Sequence, residues 1–148
     1  MGMVRETGVV PVSLRCAAEA IYEGMVYKDD GSGQMTKITT VTDNPVAVAL
    51  ESSIDPKTGA AKTMTAGDSM PFALVGSGAI VSVRSEDSTT YQSFGAVYTC
   101  QSGGTDGYCD SDNTNSAVKF GHYLEPDNHT TAAAGELITV ILDVAPAA

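Results

Sequence analysis

The chain has 148 residues, 43% of them hydrophobic, with three cysteines, no Trp and a net charge of −10. That length supports one domain with a real core, and that apolar content excludes a chain disordered by composition. A surface this acidic (pI about 4.3) repels phosphate, which argues against nucleic acid and membrane as partners.

No apolar run reaches the roughly 20 residues that span a bilayer. Met1 to Arg15 lacks the basic start and apolar centre of a signal peptide, so synthesis in the cytoplasm is expected. With six Tyr and three Phe, the core must be built from Val, Ile, Leu, Met and Ala.

In chain order, Gly8 to Leu14 reads as extended, with Pro11 favouring an edge or an arm. Residues 1–14 are read as an N-terminal arm and 15–148 as one β domain. Leu14, Ala17, Ala18 and Ile21 also sit at helical spacing; the extended alternative is preferred. Gly24 to Lys28 is β-prone and ends in a tight turn, Asp29 to Gly33. Gln34 to Val41 is rich in Thr and Ile, which suit a pleated surface, and Asp43-Asn44-Pro45 breaks it. Val46 to Leu50 is a short buried strand, followed by a loop at Asp55 to Gly59. Ser69 to Val75 and Ala79 to Arg84 are further strands, split by Gly76-Ser77-Gly78.

The second half repeats the first, approximately 24–75 against 95–144. Gly24-Met25-Val26-Tyr27 matches Gly95-Ala96-Val97-Tyr98, and each is followed by a Gly-rich turn. Val46 to Leu50 and Ala117 to Leu124 each precede an acidic Pro loop. Ala66-Gly67-Asp68 opens one late strand and Ala134-Gly135-Glu136 the other. Residues 85–94 are polar and match nothing in the first half. Two such units are expected to close around one common apolar interior. The fold class is therefore all-β: a small β-barrel or β-sandwich of two similar strand units, with an extended arm.

Candidate chemistry is sparse. Cys100 and Cys109 bracket a Gly-rich loop, and they form a disulfide candidate if the loop is a hairpin tip; two reduced thiols on neighbouring strands are the alternative. Gly67-Asp68-Ser69 looks like the surroundings of some hydrolase nucleophiles, but the matching Gly135-Glu136-Leu137 has no Ser, which favours a strand-entry turn. Asp106, Asp110, Asp112, Asn113 and Asn115 are rich in oxygen, yet their spacing does not fit an EF-hand loop. Cys100, Cys109, His122 and His129 are spaced too widely for a usual zinc site. No cofactor, metal or catalytic residue is expected. Asn128-His129-Thr130 is a glycosylation sequon, expected to stay bare.

The run from Ala17 through Gly24-Met25-Val26-Tyr27, Pro45 to Leu50 and Thr65 to Asp68, closing at Ala134 to Asp143, resembles the capsid decoration (cement) proteins of tailed viruses. The resemblance covers roughly residues 15–144. It implies a non-enzymatic virion protein that binds the outer face of the major capsid protein lattice, as a homo-oligomer and often a trimer. The arm would then supply contacts to the capsid, with Val4, Val9, Val10 and Val12 as candidates. A surface-exposed β module for a carbohydrate or other ligand is the alternative; it would cluster Tyr91, Phe94, Tyr98 and Tyr108 on one exposed face.

Overall fold

The computed structural model describes residues 10–100 and 104–144, and they form an all-β protein. The first half contributes β1 (Val12–Arg15), β2 (Val26–Asp29), β3 (Met35–Lys37), β4 (Ala47–Ala49) and β5 (Ser69–Leu74). The second contributes β6 (Ile80–Ser85), β7 (Thr90–Tyr91), β8 (Ala96–Thr99), β9 (Cys109–Asp110), β10 (Lys119–Tyr123), β11 (His129–Thr130) and β12 (Glu136–Leu142). Residues 14–21 are not helical: β1 ends at Arg15, and bends and single bridges follow.

The spatial order of the first unit is β1-β5-β4-β2-β3. Read from β6, the second runs β6-β12-β10-β8-β9, and it closes into a barrel where β9 lies parallel to β6 at Ser85–Cys109. The two orders are the same under the exchange of β1 for β6, β2 for β8, β3 for β9, β4 for β10 and β5 for β12. Val12 faces Phe72 as Val81 faces Val140. Ala49 faces Phe72 as Tyr123 faces Val140. Even the closure has its counterpart, a single parallel bridge between Cys16 and Met35.

This pairing corrects two details of the sequence match. Tyr27 pairs with Ala47 as Val97 pairs with Gly121, so the counterpart of Tyr27 is Val97 and not Tyr98. Strand side chains alternate with period two, so a slip of one residue reverses every face. Tyr27 accordingly points into the first unit, edge-on to Phe72 at 5.4 Å, while Tyr98 turns outward. Residues 85–94 also have a counterpart, in 16–24. The ribbon pair Thr90–Thr130 takes the place of the bridge Ala20–Thr63, and buried Tyr91 takes the place of buried Ile21.

The single common interior expected from sequence is instead two clusters. Tyr27, Ile21, Met35, Ala47, Ala49 and Phe72 fill the first unit. The barrel cluster contains Val83, Tyr91, Val97, Phe120, Val140 and Leu142, and it also takes in Val26, Ile38, Val48 and Ala73 from the first unit. Alternation explains the split, because β2, β4 and β5 are apolar on both faces: one face closes over its own unit and the other packs against the neighbour. Backbone bonds fasten the halves. Arg84 N donates to Gly24 O at 2.8 Å, Val26 N to Gly107 O at 2.9 Å, and Gly107 N to Ile38 O at 3.0 Å.

The last residues read from sequence as arm belong to the sheet. Val12 to Leu14 belong to β1, where Val12 and Leu14 turn inward and Ser13 and Arg15 face out. Pro11 immediately precedes this edge strand, a position where its missing N–H removes no ladder bond.

Candidate functional site

Val4 and Val9 lie outside the described residues. Val10 is 76% exposed, and Val12 is half-buried opposite Phe72.

The disulfide candidate is not formed: Cys100 and Cys109 are both free, buried thiols, as is Cys16. The register gives the reason. Cys109 stands opposite Thr99, so Cys100 is one residue beyond and the alternation of the strand carries its side chain to the other side. Cys109 lies in the barrel beside Tyr91, whose hydroxyl is 2.6 Å from Ser85 Oγ, 3.2 Å from Cys109 O and 3.3 Å from Cys109 Sγ. Burial pushes the Cys109 thiol up to about 12 and the Cys100 thiol up to about 11. Burial also raises the Tyr91 hydroxyl above its ordinary value. Both thiols therefore stay protonated near neutral pH and out of reach of reagents. At pH 8 an aromatic disulfide reagent is expected to label the native cysteines at least about 100-fold more slowly than the urea-unfolded chain, which should yield three equivalents. Rapid labelling of Cys109 in the native protein would contradict this packing.

The other sequence candidates are occupied elsewhere. His122 Nδ1 pairs with Asp143 at 3.0 Å and His129 Nε2 with Glu136 at 2.5 Å, so neither histidine serves Ser69 or a cysteine. Ser69 is an exposed residue at the start of β5, opposite Arg15. In the acidic loop, Asp110 Oδ1 accepts from Ser111 N and Asp112 Oδ1 accepts from Thr114 N and Oγ1. Among the described residues no three His, Cys, Asp or Glu side chains converge in a way that could hold a metal ion.

The four aromatics do not share one face. Tyr91 is buried and stacked on Tyr123 at 5.4 Å, and half-buried Tyr108 packs against the first unit's cluster. Phe94, however, is 60% exposed and holds a left-handed backbone, φ 57°. A bulky side chain rarely adopts that conformation, which costs of order 1–3 kcal/mol and persists only where the surroundings impose it.

The surroundings here are specific. Gly95 N donates to Gln92 O at 2.8 Å, closing the turn, and Tyr123 N donates to Gly95 O at 2.8 Å. Asn128 Oδ1 accepts from Ser93 N at 2.8 Å, and its Nδ2 donates to Gln92 Oε1 at 3.1 Å. Ser93 Oγ donates to Glu125 O at 2.8 Å. The sequon asparagine is thus a strut of the turn. Beside Phe94 runs an open cleft of about 460 Å³, bordered by Gln92, Gly95, Ala96, Tyr98, Asp112 and Asn113. The sequence offered Phe94 only as one of four aromatics, and its left-handed backbone and exposure arise only from the closed turn. No protein-family model matches the chain, and no curated protein matches it.

Proposed function

We propose that the protein is a virion structural protein that binds the outer face of a major capsid protein lattice and stabilises the head. Its role on this reading is mechanical and not catalytic, its place is the capsid exterior, and its partners are the capsid protein and further copies of itself. The observation that carries the reading is the pairing of two like five-stranded units, fastened by backbone hydrogen bonds, with an edge strand entered through exposed Val10. A body of that kind suits cementing, which needs preformed stiffness and an extended contact more than a pocket. Edge strand β1 has backbone groups available to a partner strand, and many copies on a lattice add their weak contacts together. The segments that resemble decoration proteins lie on regular elements of this framework: Gly24 to Tyr27 leads into β2, Pro45 to Leu50 carries β4, and Ala66-Gly67-Asp68 and Ala134-Gly135-Glu136 stand at the entry to β5 and β12.

The test is co-sedimentation of the purified protein with undecorated capsids of its own virus. Saturable binding at micromolar concentration is expected, and removal of residues 1–9 should weaken it while leaving the fold intact. No co-sedimentation at that concentration would reject the reading.

A further inference from the structure

The two units are joined through a turn-on-strand contact, and the corresponding face of the first unit is uncovered among the described residues. In that contact, the turn of the first unit seats on the second. Gly24, with φ 81°, lies so close to β6 and β12 that a Cβ would meet Leu137 Cδ2 at 2.8 Å and Arg84 Cγ at 3.3 Å. Arg84 donates to this turn twice, from its backbone N to Gly24 O at 2.8 Å and from Nε to Glu23 O at 2.6 Å. The contact continues along the chain, where Val26 N donates to Gly107 O at 2.9 Å and a Cβ on Gly107 would meet Met25 Cε at 3.0 Å.

Every part of this site recurs in the other unit. The receiving residues Arg84 and Leu137 face each other on β6 and β12, as Arg15 and Ser69 do on β1 and β5. Gly107 precedes Cys109 as Gly33 precedes Met35, and both are left-handed, at φ 81° and 79°. Arg15 and Ser69 are exposed, and nothing lies within 4 Å of where a Gly33 Cβ would be. The ladder carries Cys16 N to Asp68 O at 2.8 Å, so alternation turns the Arg15 N–H away from β5. The counterpart N–H, on Arg84, is the one bonded to Gly24.

The inserting turn recurs as well. Gly95 N to Gln92 O repeats Met25 N to Tyr22 O, and Tyr123 N to Gly95 O repeats Ala49 N to Met25 O. Phe94 therefore occupies the position of Gly24, left-handed in both, but it projects into solvent. The open cleft beside Gly95 and Ala96 is the flank that Met25 and Val26 present, covered, in the first unit. Sizes are exchanged in step: small Gly24 meets large Leu137 within the chain, and large Phe94 corresponds to a position facing small Ser69.

We propose that the Phe94 turn of one copy docks on the Arg15, Ser69 and Gly33 face of a second copy of this chain, repeating between molecules the contact made within each. Phe94 takes up the room left by Ser69, and Arg15 donates to the turn as Arg84 does to Gly24. Turn and receiving face are different surfaces, so the association is head-to-tail and yields a closed ring or a chain. The inference does not depend on capsid binding and is tested on the free protein.

The measurement is sedimentation velocity from 1 to 100 μM. Wild type is expected to self-associate. Phe94→Gly, which installs the first unit's own residue and relieves the left-handed backbone, should weaken association by about tenfold or more. Ser69→Leu, which installs the second unit's residue on the receiving face, should do the same. Mixed together, the two variants should associate again in a 1:1 ratio, because the Phe94 turn of one meets the Ser69 face of the other and the new Gly turn meets the new Leu face as Gly24 meets Leu137 within the chain. A wild type that stays monomeric at 100 μM would overturn the proposal. So would an oligomer that withstands both substitutions, or variants that fail to complement each other.

Discussion

Gly121→Ala should destabilise the protein by about 3 kcal/mol, near the upper end of what overpacking costs. A Cβ at Gly121 would lie 2.6 Å from Ile141 O and 2.6 Å from Val140 Cγ1. The first of these is backbone on β12, and it cannot retreat without pulling β12 from β10, where Gly121 pairs with Leu142. Gly121 is also where β10 takes up an irregularity in its pairing with β8, so the clash falls on two seams of the barrel at once. The first unit provides the control. Its counterpart is Ala47, fully buried and accommodated, so Ala47→Gly should cost only about 1 kcal/mol. Urea unfolding of the two variants measures the difference, and equal effects would show that the two units are packed alike at this position.

Phe72→Ala should cost about 3–5 kcal/mol, since Phe72 is fully buried in the first unit's cluster and its ring meets Tyr27 edge-on. The form of the loss is as informative as its size. If the units were independent, the first would melt early and the barrel later. The structure predicts one transition, because Val26, Ile38, Val48 and Ala73 are shared with the barrel cluster and the Arg84–Gly24 and Val26–Gly107 bonds cross between the units. Calorimetry of the variant should show a single lowered peak whose van't Hoff and calorimetric enthalpies agree. Two resolved peaks would refute the coupling.

Composition and local pattern were sufficient for the all-β class, for the places of β2, β4, β5 and β6, and for a second half that echoes the first. Period-two burial and Gly-rich turns are written into neighbouring residues, so they can be read locally. The resemblance to decoration proteins rests on those same short segments. The true offset between the halves could not be read that way. Gly-x-Val-Tyr occurs twice, yet Tyr27 faces a core and Tyr98 faces out, because facing depends on which residue of a distant strand stands opposite. Nor could the kinship of 16–24 with 85–94 be read, since Cys16 and Ser85, or Ile21 and Tyr91, share a position in space and no chemistry.

Length, acidity and strand pattern belong to the sequence alone: apolar residues at alternate places between turns make sheets whatever packs upon them. Only the tertiary structure decided that there are two interiors, that three thiols stay apart, and that the Gly24 turn seats against Arg84 and Leu137. The physical reason is that each of these depends on registers and contacts between residues tens of positions apart, which become neighbours only once the strands have paired.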